Sequence, residues 1–345
     1  MSQATQTTSL LPPALRWAGP PLALGYGLGG KLHRALSTPQ ASPLPTLCIG
    51  NITVGGTGKT PATKYFARGL VLRGRNPAVL MRGYKGQASD EAVEVQHALS
   101  DLKTPVLVGA DRLANVRRAK ESGYDCVLLD DGFQHWKLAR DLDIVLLDAT
   151  DPFGGGHLAP WGRLRETPEG LARAGVVILT RSDMVSKAER EKLRAEVTRL
   201  APGATLAIAS HIPAGLREFK ENGADYYPEK LKGLNVCAAC AIGNPNGFFK
   251  TLEALGAKLQ KTWSYPDHSD FSAWQADRVI ETAAKLKSAA IVVTEKDAPK
   301  LLRHVRGDEF PIWVLDVRFG ITEGEAAVWT RVQQVIAAAT NRLAR

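Results

Sequence analysis

From residue 46 onward, short apolar runs alternate with stretches of helical period. The runs "TLCIG", "PAVLM", "PVLVG", "CVLLD", "IVLLD", "GVVILT" and "ATLAIA" are nearly continuous in apolar residues. Strands of that kind are buried on both faces, which is the condition of a parallel sheet covered by helices. Between them, "KTPATKYFARGLVLRGR" puts Ala62, Tyr65, Phe66, Gly69 and Leu70 on one helical stripe, and "SKAEREKLRAEVTRL" reads as an amphipathic helix. A charged, glycine-containing stretch over 217–233, "REFKENGADYYPEKLKG", reads as a linker. Beyond it the alternation restarts with a strand "NVCAACAI", helices "NGFFKTLEALGAKL" and "SAWQADRVIETAAKL", strands "AAIVVT" and "PIWVLDV", and a last helix "GEAAVWTRVQQVIAAATNRLA". The pattern predicts an α/β fold, with a mostly parallel sheet flanked by helices over 46–216 and a second, smaller α/β domain over 234–345.

Composition changes the picture in one place. Ten of the chain's 44 Lys and Arg lie in residues 1–89, which hold none of its 35 Asp and Glu; the first acid is Asp90. So basic a lobe implies an anionic partner. Within it, "LLPPALRWAGPPLALGYGLGG" (residues 10–30) carries one charge, several leucines, Trp17 and Tyr26, with Lys31 and Arg34 just beyond. Its prolines and glycines argue against a membrane-spanning helix. Residues 1–45 therefore read as an apolar and basic segment for the membrane interface, aromatic rings at headgroup depth and cations toward anionic lipid. No nucleic-acid-binding motif accompanies the charge, so nucleic acid is not expected as a partner. The four cysteines sit in apolar, strand-like runs, and no cleavable signal pattern is seen, which fits a reducing cytoplasm. Cys237 and Cys240 are three apart in a strand, face opposite sides, and read as buried small residues rather than a metal or redox pair.

Candidate chemistry begins at "CIGNITVGGTGKTP". A strand leads into it and a helix, read as starting at Pro61, leaves it. Backbone N–H groups curling through Gly55, Gly56 and Gly58 suit phosphate, Lys59 supplies charge to the β/γ-phosphates, and Thr60 offers a hydroxyl to Mg²⁺. The loop pattern normally opens with glycine, where this chain has Thr53. The predicted nucleotide contacts are Thr53, Val54, Gly55, Gly56, Thr57, Gly58, Lys59 and Thr60, in a P-loop NTPase-like fold. "YDCVLLDDGFQH" then delivers Asp130 and Asp131 to the carboxyl end of a strand, the expected place of a metal ligand for such a loop. Asp90 with Glu91, and Asp267 with His268, are polar clusters of the kind that accept a hydroxyl proton in phosphoryl transfer. "PFGGGHLAPWGRLRE" reads as a flexible binding loop whose Arg163 and Arg165 suit an anion. In "TEKD" the lysine is displaced by one from the guanine-selecting pattern, so ATP is favoured over GTP. A related class of membrane-surface ATPases carries a lysine at the position of Val54, and its absence argues against that class.

Taken together, "GNITVGGTGKTP", "RGY" (Arg82–Tyr84), "DE" (Asp90–Glu91), "DR" (Asp111–Arg112), "LDDGFQHWKLARDLDI", "GRLRE", "YPDH" and "TEKD" resemble the tetraacyldisaccharide 4′-kinase family of lipid A synthesis. In that family Ser or Thr normally replaces the first loop glycine, so Thr53 is a family trait. The resemblance implies ATP- and Mg²⁺-dependent transfer of the γ-phosphate to the 4′-hydroxyl of a tetraacylated glucosamine disaccharide 1-phosphate. It implies a peripheral or N-terminally anchored enzyme on the cytoplasmic face of the inner membrane, its second domain closing over a nucleotide-binding first domain. It assigns Lys59 and Thr60 to phosphates and metal, Asp130 and Asp131 to the metal, and Asp90, paired with His268 from the other domain, to activation of the sugar hydroxyl. Arg82, Tyr84, Glu91, Arg112, Gln134, His135, Arg165 and Glu166 are implied to hold the substrate. One departure stands out: the family usually reads Gly-Asp-Glu-Pro where this chain has Ser89-Asp90-Glu91-Ala92. Two other readings compete, a kinase or ligase for a soluble metabolite and a nucleotide-driven membrane switch without an acceptor.

Overall fold

The apolar runs of the first part of the chain all become strands: β1 (Thr46–Gly50), β2 (Pro77–Met81), β3 (Val106–Val108), β4 (Cys126–Asp130), β5 (Leu142–Asp148), β6 (Val176–Thr180) and β7 (Thr205–Glu218). The structure, a computed structural model, describes residues 10–83, 90–220, 223–242, 245–266, 269–305 and 310–345. The strands pair in parallel in the order β7-β6-β5-β1-β4-β2-β3. Every residue of β1, β2, β4 and β6 is buried, as a sheet covered on both faces requires. Helices α1 (Gly19–Leu36), α2 (Lys59–Val71), α3 (Asp90–Ala98), α4 (Arg112–Glu121) and α5 (Lys187–Leu200) belong to the same unit. Side chains alternate between two apolar layers: Leu47 and Ile49 join Phe66 and Leu70, whereas Cys48 joins Val116, Phe133 and Val197.

Strand order positions the site. β1 lies between β4 and β5, and β4 lies between β1 and β2, so the connections diverge on either side of β1. The carboxyl ends of β1 and β4 then open a crevice that no crossover fills, the usual ligand position in such sheets.

The other unit is His211–Arg318. It holds β8 (Asp225–Tyr226), β9 (Asn235–Cys240), α6 (Pro245–Ala254), β10 (Lys258–Ser264), α7 (Ala273–Lys285), β11 (Ile291–Thr294), α8 (Ala298–Leu302) and the start of β12 (Ile312–Glu323). Its parallel order is β10-β9-β11-β12. Cys237 and Cys240 are buried in two different apolar clusters of this unit, as residues on opposite faces of β9 must be. β10 departs from the sequence reading, which extended a helix through "GAKL". The helix stops at Ala254, and the chain turns at Gly256 (φ 82). "KLQKTWS" then pairs with β9 while leaving five of its seven residues exposed. An exposed edge strand carries no apolar run to announce it.

The domain limits also differ from the expected ones. Residues 217–233 are not a bare linker: Leu216 and Arg217 pair antiparallel with Tyr226 and Asp225. Phe319–Arg345 cluster with the first unit rather than with 234–318. The reason is the last helix, α9 (Glu325–Leu343), whose buried stripe Val328, Trp329, Val332, Ile336 and Ala339 completes the α2 layer. Trp329 packs on Tyr65 and Phe66, at ring-centroid distances of 5.9 and 5.3 Å, and its indole N–H donates to the Tyr65 hydroxyl at 3.2 Å. Arg73 lies over the same ring at 3.8 Å. The helical stripe read from α2 is therefore the seat of α9, and Gly69 belongs to it because the indole occupies the space its side chain would take.

α1 forms despite its composition. Pro20 and Pro21 fall in its first turn, where a missing N–H costs nothing. Gly19 and Ala23 are buried, and Gly27 faces Leu158. The opposite stripe, Leu24, Leu28, Leu32 and Leu36, is exposed, at 59–75 % of full accessibility, and Trp17 just before it reaches 78 %. Among the described residues no helix is long and apolar enough to cross a membrane.

Gly69→Ala is expected to force the Trp329 ring from its seat and to destabilise the first unit by about 1–3 kcal/mol, the usual cost of overpacking. Urea or thermal unfolding of the purified chain measures this; unchanged stability would show that α9 does not depend on that contact.

Candidate active site

The glycine loop is held from outside rather than by its own turns. Its first half runs antiparallel to residues 163–165: Val54 N–H donates to the Arg163 carbonyl at 2.6 Å, Arg165 N–H to the Ile52 carbonyl at 2.7 Å, and Thr53 bridges Leu164. Thr53 is 2 % exposed and extended, a setting that suits a β-branched residue and has no need of glycine. The second half is tied at three points. Asn51 Nδ2 donates to Thr57 Oγ1 at 3.0 Å, Thr180 Oγ1 to the Thr57 carbonyl at 3.2 Å, and Arg181 Nη2 to the Gly56 carbonyl at 2.8 Å. Between these ties Gly55 and Gly56 are exposed, leaving their backbone open to a ligand. Gly58 caps α2 in the left-handed region (φ 89), where a side chain would cost about 1 kcal/mol or more. α2 starts at Lys59, two residues before the expected Pro61, which sits in its first turn.

Lys59 faces the acids at the end of β4. Its Nζ lies 3.8 Å from Asp131 Oδ1, and Arg165 Nη1 donates to the same oxygen at 2.8 Å. Burial lowers the Lys59 pKa, with Asp131 acting in the opposite sense. From Arg165 a polar chain continues. Its Nη1 lies 3.3 Å from Gln134 Oε1, Gln134 Nε2 donates to Glu166 Oε1 at 2.8 Å, and Arg173 Nη2 donates to Glu166 Oε2 at 2.8 Å. Gln134 also donates to the Asn51 carbonyl at 2.9 Å, which returns the chain to the loop. The segment expected to be a flexible loop is thus a strap over the nucleotide loop, with Arg163 beside Asp151 at 3.4 Å and Arg165 on Asp131.

Asp130 differs from its neighbour. Register places it opposite Ile49, one residue before β1 ends, and it is 6 % exposed. Thr63 Oγ1 donates to it at 3.0 Å, and burial pushes its pKa up to about 6. A buried carboxylate short of countercharge, across the crevice from the start of α2 with Thr60, fits a divalent cation, whose charge would restore the ionised form. Asp131, already shared by Lys59 and Arg165, is the poorer direct ligand.

The remaining predicted residues divide into three groups. Arg112 is 3 % exposed at the start of α4; burial lowers its pKa to about 10, with Asp130 acting in the opposite sense. His135 is held neutral, its pKa lowered to about 4 by burial and then by Arg112. Arg82 and Glu91 are exposed, Glu91 within electrostatic range of Lys59 and Asp130. Asp90 begins α3, but its side chain, like Tyr84, Asp267 and His268, lies outside the described residues. Sequence reading missed Asn51, Thr63, Asp148, Arg173 and Arg181. Asp148 and Arg181 had a signal: each is polar at or just past the carboxyl end of an apolar strand, and the two form an ion pair beside the loop.

Comparison with known proteins identifies relatives of the whole chain. The profile of the family described as Tetraacyldisaccharide-1-P 4'-kinase matches residues 15–337. A protein named tetraacyldisaccharide 4'-kinase from Anaeromyxobacter dehalogenans is 40% identical over 320 residues, covering 86% of this chain and 84% of that protein. One of the same name from Elusimicrobium minutum is 37% identical over 311 residues, covering 83% and 82%. Among solved structures, LpxK from Aquifex aeolicus in complex with ATP superposes with a TM-score of 0.65 at 25% identity, covering 93% of this chain and 99% of that one.

The raised pKa of Asp130 has a definite sign in stability. The unfolded chain ionises this group near 3.8 and the folded chain at about 6, so folding loses stability as pH rises between the two. Asp130→Asn is therefore expected to stabilise the ligand-free protein at pH 7 by about 1–3 kcal/mol, with the gain vanishing below about pH 4. Denaturant unfolding at both pH values tests this; an equal gain at both would remove the case for a strained carboxylate.

Proposed function

This chain belongs to the tetraacyldisaccharide 4′-kinase family, and we propose how its own residues carry that reaction. It is an ATP-dependent phosphotransferase of lipid A biosynthesis. The bond that forms joins the 4′-oxygen of the acylated disaccharide 1-phosphate to the γ-phosphorus of ATP. The bond that breaks joins that phosphorus to the β–γ bridging oxygen, and ADP leaves. The observation that carries the assignment of roles is the arrangement at the crevice: an open Gly55–Gly56 backbone, Lys59 at the first position of α2, and Asp130 and Asp131 opposite. A loop with that backbone and lysine receives the triphosphate.

Lys59 exchanges Asp131 for the phosphate oxygens when ATP binds. That exchange is cheap, because a partly exposed ion pair is worth about 1 kcal/mol or less. Asp131 remains on Arg165, so the strap stays closed over the loop. Thr60 and Asp130 would hold Mg²⁺, which when bound neutralises charge on the phosphate oxygens. Arg112, Arg165, Gln134, neutral His135 and Glu166 would hold the sugar, with Arg82, Tyr84 and Glu91 at the site's edge. Asp90 and His268 are assigned to accept the hydroxyl proton. The exposed stripe of α1, with Trp17 and the cations Lys31 and Arg34, supports docking on the anionic cytoplasmic face of the inner membrane, where the lipid acceptor resides.

Incubation with γ-labelled ATP and the acylated disaccharide 1-phosphate in detergent is expected to label the lipid; label released only as inorganic phosphate would favour the membrane-switch reading. Asp90→Asn and His268→Ala are each expected to cut turnover by roughly 100-fold or more while ATP binding persists. Near-full turnover in both variants would sink that assignment. Flotation with vesicles containing anionic phospholipid tests the membrane face: the wild type is expected to float, and the Trp17→Glu/Leu28→Glu variant to remain in the dense fraction.

A further inference from the structure

We propose that α1 positions the phosphate loop: through Leu158 and Trp161, on which it sits, it braces the strap that holds the loop in its ATP-binding shape. This rests on the reading of residues 53–60 as the ATP cradle. It gives the helix assigned above to the lipid surface a second task on its other face.

The contacts run in layers within the first unit. A side chain at Gly27 would lie 2.7 Å from Leu158 Cδ1, and one at Gly19 would lie 2.9 Å from Trp161 Cδ1, so both glycines let the helix lie directly on the strap. Ahead of the helix, the Leu10 N–H donates to the Pro160 carbonyl at 3.0 Å. The strap then folds back on itself. Leu164 N–H donates to the His157 carbonyl at 3.0 Å, and Ala159 N–H to the Leu164 carbonyl at 2.8 Å. The His157 ring stacks on Trp161 with centroids 3.7 Å apart, which steadies the outer turn. Leu164 in turn bridges Thr53, flanked by the Val54 and Arg165 bonds described above. Helix, outer strap, inner strap and loop therefore follow one another, with Gly27, Leu158, Leu164 and Thr53 one in each.

The far end of α1 reaches the same frame by another route. Arg34 lies over the Trp136 ring at 4.8 Å, and Arg173 lies over that ring at 4.6 Å. Arg173 holds Glu166, which accepts from Gln134, and Gln134 donates to the Asn51 carbonyl just ahead of the loop.

The loop needs such support. Gly55 and Gly56 are exposed, and a glycine backbone left to itself samples many shapes. Apparent affinity falls with the fraction of time the loop spends in the shape that phosphate can use. The ties on its first half come from the strap, whose outer turn lies against α1. α1 is itself weakly helical. Gly25, Gly29 and Gly30 lower its propensity, and an added side-chain carbon at any of them would meet no atom within 4 Å, so packing does not account for them. The firmness of the helix thus bears on the strap, and through the strap on the loop.

The test measures binding of mant-ATP with Mg²⁺ to the full chain without lipid, so that neither membrane docking nor phosphoryl transfer enters. Leu158→Ala is expected to weaken binding by about 5-fold or more, and Leu158→Met, which keeps the volume, to restore most of it. Because a poorly folded variant would also bind weakly, a second variant works in the opposite direction. Gly25→Ala/Gly29→Ala/Gly30→Ala is expected to tighten binding by about twofold or more, a gain that misfolding cannot produce. With a wild type that binds, unchanged affinity in Leu158→Ala, or no tightening in the triple variant, overturns the proposal alone. A wild type that does not bind mant-ATP overturns the cradle reading and the proposal with it. The labelled-lipid assay above reports on the kinase reading separately.

Discussion

One carboxylate oxygen, on Asp131, answers two cations that come from different parts of the chain. Lys59 reaches it from the glycine loop and Arg165 from the strap that lies over the loop. Each contact is partly open to water and modest in energy. Their joint effect is geometric: the end of β4, the start of α2 and the strap are referred to a single point. Asp131 itself is held in the left-handed region at φ 50, a conformation aspartate tolerates better than most residues and one that turns the chain sharply after β4. Displacement of one partner by phosphate leaves the other in place, so a ligand can enter without dismantling the frame.

The two adjacent aspartates show how environment divides roles between identical side chains. Asp130 is the last residue of a buried strand and forms no ion pair among the described residues; Asp131 has left the strand and pairs with Lys59 and Arg165. The same contrast separates Arg112 from Arg165. Arg165 spends its charge on a protein carboxylate, whereas the buried Arg112 forms no ion pair within 4 Å among the described residues. Sites that hold unpaired charge of both signs near each other are poised for ligands that carry the complement.

Beneath the site the fold is ordinary packing, and its least obvious element is the one farthest along the chain. α9 covers α2, with Trp329 seated on Gly69 and bonded to Tyr65. The helix that begins at the phosphate loop is thereby braced on its far side. A stable α2 start keeps Gly58, Lys59 and Thr60 in register with β4.

Much of this was legible in the chain itself. Continuous apolar runs predicted the parallel strands, because burial on both faces leaves no room for polar alternation. Gly-Lys-Thr after a strand predicted the loop, and the paired aspartates predicted its acidic partner, since those chemistries depend on local order. Thr53 was readable only as a family trait; its reason is the pairing with Leu164, some hundred residues away in sequence. β10 escaped because an exposed edge strand has no hydrophobic period. The home of α9 escaped because an amphipathic stripe states that a face is buried but not against what. What the sequence determined by itself was therefore everything set by local period and motif. What only the tertiary structure decided was which carboxylate is paired, which cation is stranded and which core a helix joins, because those depend on distances between residues that the linear order does not encode.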